Sequence, residues 1–216
     1  MTQPELPRAD REMIRDRYRA RYMSHGPTVA ALASGTDAKQ RIRHQVLSEI
    51  GSIDGATLLD VGCGIGQFYA FCRESDWQIR YTGIDLVPEF VAHCHQEFGS
   101  DDPPPAFLEA DLFADSCAAI RRMAPHDFVV ASQVFNNRYA FADNWELFQE
   151  AVRAMFERCA RAVAVDCLTT RVDFQEPQLY YYDPARVLEF GLSLTRRAVL
   201  RHDYPLYEQT LYLYRQ

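Results

Sequence analysis

Lysine is almost missing from this chain: Lys39 is the only one among 216 residues, and arginine supplies the remaining positive charge. A lysine Schiff base or lysine general base therefore has a single candidate, and neither chemistry is expected. An excess of basic charge is missing too. Lys and Arg number 23 against 30 Asp and Glu, a net charge of −7 with a pI near 5.4. Such a chain lacks the electrostatic footprint of a duplex-binding protein, so no nucleic-acid partner is expected. Long apolar runs are absent as well. The longest, such as Ala162–Val165, fall far short of the ~18–20 residues that span a bilayer. The opening MTQPELPRADRE has neither the apolar core nor the cleavage site of a secretory leader. Those two absences lead us to expect no membrane association and a cytoplasmic location. Paired cysteines are the last absence. The six cysteines, at 63, 72, 94, 117, 159 and 167, form no C-x-x-C. Neither a disulfide framework nor a zinc site is expected. In His93-Cys94-His95 adjacent side chains point apart on a helix, which excludes a shared metal.

What is present is ordinary for one globular domain: 48% hydrophobic and 25% charged residues. Ile14, Tyr18 and Tyr22 share one face of a predicted helix over about 5–22 that His25-Gly26-Pro27 ends. A second helix is predicted from Asp37 to Ile50, with Ile42, Val46, Leu47 and Ile50 as its stripe. From residue 57 the pattern alternates. Strands are predicted at 57–61, 80–85, 106–108, 127–132 and 162–166. Helices are predicted at 67–74, 88–98 and 145–159 between them. Strands alternating with helices argue for a parallel sheet covered on both faces. Two strand-like runs, Leu192 to Arg201 and Tyr207 to Tyr214, close the chain as an antiparallel hairpin. The expectation is an α/β fold with a seven-stranded, mainly parallel Rossmann-like sheet. Residues 1–50 form a helical cap within the same domain, and residues 51–216 carry the sheet.

The most informative stretch is Asp60-Val61-Gly62-Cys63-Gly64-Ile65-Gly66. Glycines after a strand let a ligand approach the backbone at the start of a helix. The spacing is G-x-G-x-G, not the G-x-G-x-x-G of dinucleotide enzymes. Asp60 stands inside the strand, where a carboxylate suits a ligand bearing an ammonium group. Asp85 ends the next strand, where a carboxylate can accept from two ribose hydroxyls, with Leu86 beside it. Asp111 follows the third strand and can accept from an adenine amine, with Leu112 and Phe113 against the base. Ammonium, ribose and adenine together describe S-adenosylmethionine.

These residues resemble the class I S-adenosylmethionine-dependent methyltransferases, whose pattern is L-D-V-G-C-G-x-G, then G-I-D, then A-D-L-F. The resemblance covers about 57–166 by motif, and the terminal hairpin is similar to that family's reversed last strand. More narrowly, the chain is similar to small bacterial methyltransferases of undefined substrate. Gln40 and Arg43, Val130–Asn136, Leu179–Pro184 and Arg201–Glu208 carry that likeness, while His44 stands where a phenylalanine is expected. The resemblance implies a methyl-transferring enzyme whose cofactor is held by Tyr22, Arg43, Asp60, Gly62, Gly64, Gly66, Asp85, Leu86, Asp111, Leu112, Ser132 and Gln133. Arg43 is expected to pair with the cofactor carboxylate.

The acceptor should lie near the end of the fourth strand. Tyr18, Asn136, Asn137 and Tyr181 are the candidate substrate contacts, and His25, Tyr139 and His202 the candidate catalytic groups. The N/D-P-P-Y tetrapeptide of enzymes that methylate base or glutamine amino groups is missing. A small-molecule acceptor, methylated at oxygen or nitrogen, is the leading expectation. An RNA- or protein-methylating enzyme is the alternative, since Arg8, Arg11, Arg15, Arg17, Arg19 and Arg21 could form a basic face. A non-catalytic cofactor-binding module is the third reading. Oligomeric state is not readable.

Overall fold

A computed structural model describes residues 5–215. The elements run α1(Arg8–His25), α2(Asp37–Ser48), β1(Thr57–Val61), α3(Gln67–Glu74), β2(Arg80–Asp85), α4(Pro88–Phe98), β3(Ala106–Glu109), α5(Ala118–Arg121), β4(His126–Ala131), α6(Asn144–Arg158), β5(Cys159–Leu168), α7(Pro184–Leu194), β6(Ala198–Arg201) and β7(Glu208–Tyr214). The seven strands form one sheet in the order β3-β2-β1-β4-β5-β7-β6. β1 to β5 pair in parallel, and β7 runs antiparallel between β5 and β6. The strand order reverses between β1 and β4, and their carboxyl ends open the crevice where ligands settle in such sheets.

The strands alternate between two apolar layers. Val129 and Ala131 of β4, with Val163, Val165 and Cys167 of β5, pack with Phe148, Val152, Met155 and Phe190 of α6 and α7. Phe128 and Val130, with Ala162 and Ala164, face Val46, Leu47, Phe71, Val91 and Phe98 of α2, α3 and α4. Period-2 alternation with both sides apolar is what a doubly covered sheet requires.

Two boundaries differ from the sequence reading. Residues 192–194, expected to open a strand, close α7 instead. Asp183 caps that helix by accepting from the backbone N–H groups of Ala185 and Arg186, with Pro184 in its first turn. The capped helix carries through to Leu194, and β6 begins only at Ala198. α2, expected in the cap, belongs to the core, since Val46, Leu47 and Ile50 are buried against the sheet.

α1 does lie across the carboxyl ends of the strands. Asp10 is 2% exposed and accepts from the N–H groups of Ala140 and Phe141, both at 2.9 Å. Arg17 donates to Asn137 Oδ1 at 3.0 Å, Arg19 pairs with Glu89 at 2.7 Å, and Arg11 pairs with Asp111. Of the N-terminal arginines, Arg8, Arg11 and Arg19 pair with carboxylates, while Arg17 and Arg21 donate to neutral acceptors.

Candidate functional site

The turn after β1 is built to keep side chains out. Gly62 and Gly64 sit at φ 75° and 56°, in the left-handed region that side chains rarely adopt. A Cβ on Gly62 would stand 2.4 Å from Val134, and one on Gly64 2.9 Å from Leu32. The loop is held from β2. Gly62 and Cys63 donate to the Ile84 carbonyl at 2.8 and 3.0 Å, and Gly64 donates to Asp85 Oδ2 at 2.8 Å. Asp85 Oδ1 accepts from Val87 N–H at 2.9 Å. Asp85 is therefore a clamp on the loop as well as a cleft-facing carboxylate.

A cleft opens above this turn. Asp60, Gly62, Gly64, Asp85, Leu86, Asp111, Leu112, Ser132 and Gln133 line it, together with Tyr18, Asn137 and Tyr139. Chain segments far apart in sequence thus bring most of the proposed residues to one wall. Asp60 is 3% exposed, and its Oδ2 accepts from the Tyr81 hydroxyl at 2.5 Å. Burial pushes its carboxyl up to about 7, against the lowering effect of that bond. Burial likewise raises Asp85 to about 6, although the N–H groups of Val87 and Gly64 favour its charge. Asp111 accepts from Phe113 N–H at 2.9 Å and pairs with Arg11.

Other proposed residues stand elsewhere. Arg43, expected to pair with the cofactor carboxylate, does not line the cleft. Its fork holds both oxygens of Glu208, at 2.8 and 2.6 Å, and Nη1 donates to the Ser34 carbonyl and to Gln40 Oε1 at 2.6 and 3.0 Å. Tyr22 packs edge-on against Phe90, centroids 5.6 Å apart, outside the cleft. Gly66, at φ 75°, caps α3 behind the loop, where a Cβ would meet Phe98. His25 is exposed at the end of α1, and His202 is exposed after β6, the outermost strand. Neither histidine reaches the cleft. Asn136 is a structural lock, accepting from Leu168 N–H and donating to Gln133 Oε1, both at 3.0 Å. Tyr181 accepts from Glu176 N–H at 3.1 Å, away from the cleft. Tyr139 does line it, but burial raises its phenol far above neutrality and makes it a poor base.

The structure brings to the cleft residues that were given no site role from the sequence. Ser34, Gln40, His44 and Gln67 line the cleft beside the glycine turn. Ser34 Oγ and Gln67 Oε1 are buried without a partner among the described residues. Gln40 Nε2 lies 3.1 Å from His44 Nε2, and Arg43 fixes which way the Gln40 amide points. The Gln40 amide therefore donates to Nε2 and leaves the imidazole proton on Nδ1. Burial, followed by Arg43 and Arg41, lowers His44 to about 3. It is neutral throughout the physiological range. The available signal was its polarity on the inward face of α2, at the position where phenylalanine was expected. Among the described residues, no group of three or more His, Cys, Asp or Glu is placed to hold a metal ion.

The site suits a zwitterionic nucleoside. Orphaned polar atoms at Ser34 and Gln67 and carboxylates at Asp60, Asp85 and Asp111 together offer acceptors for ammonium, hydroxyl and amine groups. Comparison with known proteins agrees. Residues 58–164 match a family described as a methyltransferase domain. A protein of Mycobacterium tuberculosis provisionally named a methyltransferase is 30% identical over 167 residues, covering 75% of this chain and 95% of that protein. Trans-aconitate 2-methyltransferase of Azoarcus is 31% identical over 98 residues, 45% of this chain and 35% of that enzyme. Among solved structures, magnesium protoporphyrin IX methyltransferase of Synechocystis with bound S-adenosylmethionine shares the fold. Its TM-score is 0.65 at 15% identity, over 96% of this chain and 97% of that one. The DszA carbon methyltransferase matches with a TM-score of 0.61 at 12% identity, over 85% of this chain and 56% of that one.

Proposed function

The chain belongs to the class I S-adenosylmethionine-dependent methyltransferases, and from that premise we propose that it methylates a small-molecule acceptor at oxygen or nitrogen. S-adenosylmethionine is its methyl donor. The observation that carries the acceptor reading is the enclosure of the cleft. Leu6, Ile14 and Tyr18 of the N-terminal segment and Leu32 and Ser34 of the following loop line it from above. The trans-aconitate and porphyrin enzymes among the relatives are named for small acceptors, which supports the reading. The pairing of Arg8, Arg11 and Arg19 with carboxylates weakens the case for an RNA-binding face on α1.

The donor supplies an activated methyl group when bound. Asp85 would hold the ribose, and Asp111, Leu112 and Phe113 the adenine. Asp60, Ser34, Gln67 and the glycine turn would hold the amino-acid end. Tyr18 and Asn137 are bonded to each other at 3.3 Å and present polar groups on the acceptor side. His44 acts as a fixed donor through Nδ1–H rather than as a base, because Gln40 occupies its free lone pair. Catalysis then rests on alignment and exclusion of water, which can supply ~7–11 kcal/mol of the barrier lowering.

The test is radiolabel transfer. The protein is incubated with S-adenosyl-[methyl-³H]methionine and a cell extract split into small-molecule, RNA and protein fractions. Label in the small-molecule fraction is expected. Label confined to RNA or protein would overturn the reading.

A further inference from the structure

At the end of the sheet opposite the cleft, the fold gathers cations that no carboxylate answers. Arg158 closes α6, Arg161 stands near the start of β5, Arg196 and Arg197 precede β6, and Arg215 follows β7. The antiparallel return of β7 brings these ends together: Ala162 pairs with Tyr214, and Ala198 with Leu213. None of these arginines takes part in an ion pair among the described residues, in a chain whose net charge is −7. Asp127 is the carboxylate that Arg161 acts on. Its Oδ2 already accepts from the N–H and the hydroxyl of Thr57, both at 2.8 Å, and Arg80 adds a further cation beside it.

Arg161, Arg197 and Arg215 line a hollow there, with Gly51 and Phe128 among its other walls. A Cβ on Gly51 would stand 3.1 Å from the Phe128 ring, so a side chain at that position would crowd the space. The guanidinium groups are held in place. Arg161 sits over the Phe128 ring at 4.8 Å. Arg215 sits over Phe156 at 4.2 Å, while its Nε donates to the Cys159 carbonyl at 3.1 Å and its Nη2 to the Phe156 carbonyl. Arg197 sits over Tyr214 at 5.9 Å, and its Nη1 donates to the Arg215 carbonyl at 3.0 Å. Rings and backbone carbonyls fix the side chains without cancelling their charge, and the other N–H donors of each fork stay available. Cations kept this close repel one another, and an anion between them would relieve that repulsion.

We propose that this hollow binds a phosphate dianion, either free or as the phosphoryl group of a small molecule. Guanidinium forks match phosphate oxygens in shape as well as charge. A carboxylate has oxygens for one fork, whereas the oxygens of a phosphate can serve all three arginines around the hollow. The site is separate from the cleft. It lies at the amino ends of β4 and β5, and the cleft at the carboxyl ends of β1 and β4. The anion and the methyl donor should therefore bind independently.

The test is calorimetry on the full chain at neutral pH and physiological salt, with inorganic phosphate in one arm, phenyl phosphate in a second and acetate in a third. Saturable binding of inorganic phosphate at one site is expected, with the same affinity when S-adenosylhomocysteine is present. Tighter binding of phenyl phosphate would assign the site to a phosphoryl group on a small molecule, and tighter binding of inorganic phosphate to the free anion. Arg161 and Arg197 are exposed, so Arg161→Gln and Arg197→Gln should fold. Each should weaken phosphate binding by about 10-fold, the loss of one charge-assisted contact, and leave S-adenosylhomocysteine affinity unchanged. No saturable phosphate binding, acetate bound as tightly as phosphate, or phosphate affinity that survives both substitutions would overturn the proposal. Binding of single-stranded RNA without saturable phosphate binding would make the patch a nucleic-acid surface and overturn it as well.

Discussion

Replacing Asp85 with alanine gives the sharpest test of how the cleft holds its nucleoside. A carboxylate offers about four lone-pair positions. In Asp85 one on each oxygen is already engaged, by Gly64 N–H at 2.8 Å and Val87 N–H at 2.9 Å. One position on each oxygen remains, enough for two neighbouring ribose hydroxyls. Net hydrogen bonds to a charged group contribute about 1.5–3 kcal/mol, so Asp85→Ala should weaken S-adenosylhomocysteine binding by roughly 10- to 150-fold. The same change frees the two backbone donors that shape the glycine turn, but it also removes a carboxyl that burial raises to about 6. These effects on folding oppose each other, and the variant should remain folded at pH 7. Asp85→Asn is the control. Its amide nitrogen cannot accept from a backbone N–H, so one oxygen must serve the loop and the ligand together, and affinity should fall nearly as far as in the alanine variant. Calorimetry measures the affinities, and circular dichroism melts confirm folding. A folded Asp85→Ala protein with native affinity would refute the assignment.

Three further outcomes are expected. Burial raises the Asp60 carboxyl to about 7 in the empty protein, and a cationic ligand favours its ionised form. Donor affinity should therefore rise with pH between about 6 and 8, with proton release detectable in buffers of different ionisation enthalpy; affinity that stays flat or falls over that window would exclude Asp60 as an ammonium contact. Arg43→Met would leave Glu208 buried without a partner and should cost about 3–5 kcal/mol of stability, seen as a large drop in melting temperature; a fully stable variant with selectively weaker donor binding would restore Arg43 as a cofactor contact. Residues 5–35 are expected to act as a lid, so hydrogen exchange should show strong S-adenosylhomocysteine-induced protection in 10–30 beyond that in α6; equal, high protection without ligand would make the segment a fixed cover.

Most of the fold was legible because its determinants are local. Short continuous apolar runs between helical stretches marked β4 and β5, and Gly62 and Gly64 announced a turn that tolerates no side chain. The end of the sheet was misjudged where two local signals competed. Leu192 to Arg201 has strand-like composition, but the Asp183-Pro184 cap starts a helix that carries through Leu194. At the cleft, strand-end residues such as Asp60, Asp85 and Asp111 were readable because a strand in a parallel sheet delivers its last side chains to a known edge. Helix residues were not. Arg43 looked free because its partner, Glu208, lies 165 residues away. Tyr22 lies one helical turn beyond Tyr18, yet it meets Phe90 outside the cleft. His44 and Asp166 were given no site role because their character lies in burial and in what their neighbours already hold, and residue type shows neither.

On this reading the cleft over the β1 turn is where the methyl donor binds and reacts. A crystal structure with S-adenosylhomocysteine tests it most directly. The ribose hydroxyls are expected on Asp85, the adenine between Leu86 and Leu112 with its amine toward Asp111, and the amino-acid end over Gly62 and Gly64 near Asp60. The sulfur is expected to face the side of the cleft lined by Ser132, Gln133 and Asn137. Ligand bound elsewhere on the fold, or bound with Asp85 and Asp60 still turned only to the protein, would contradict it.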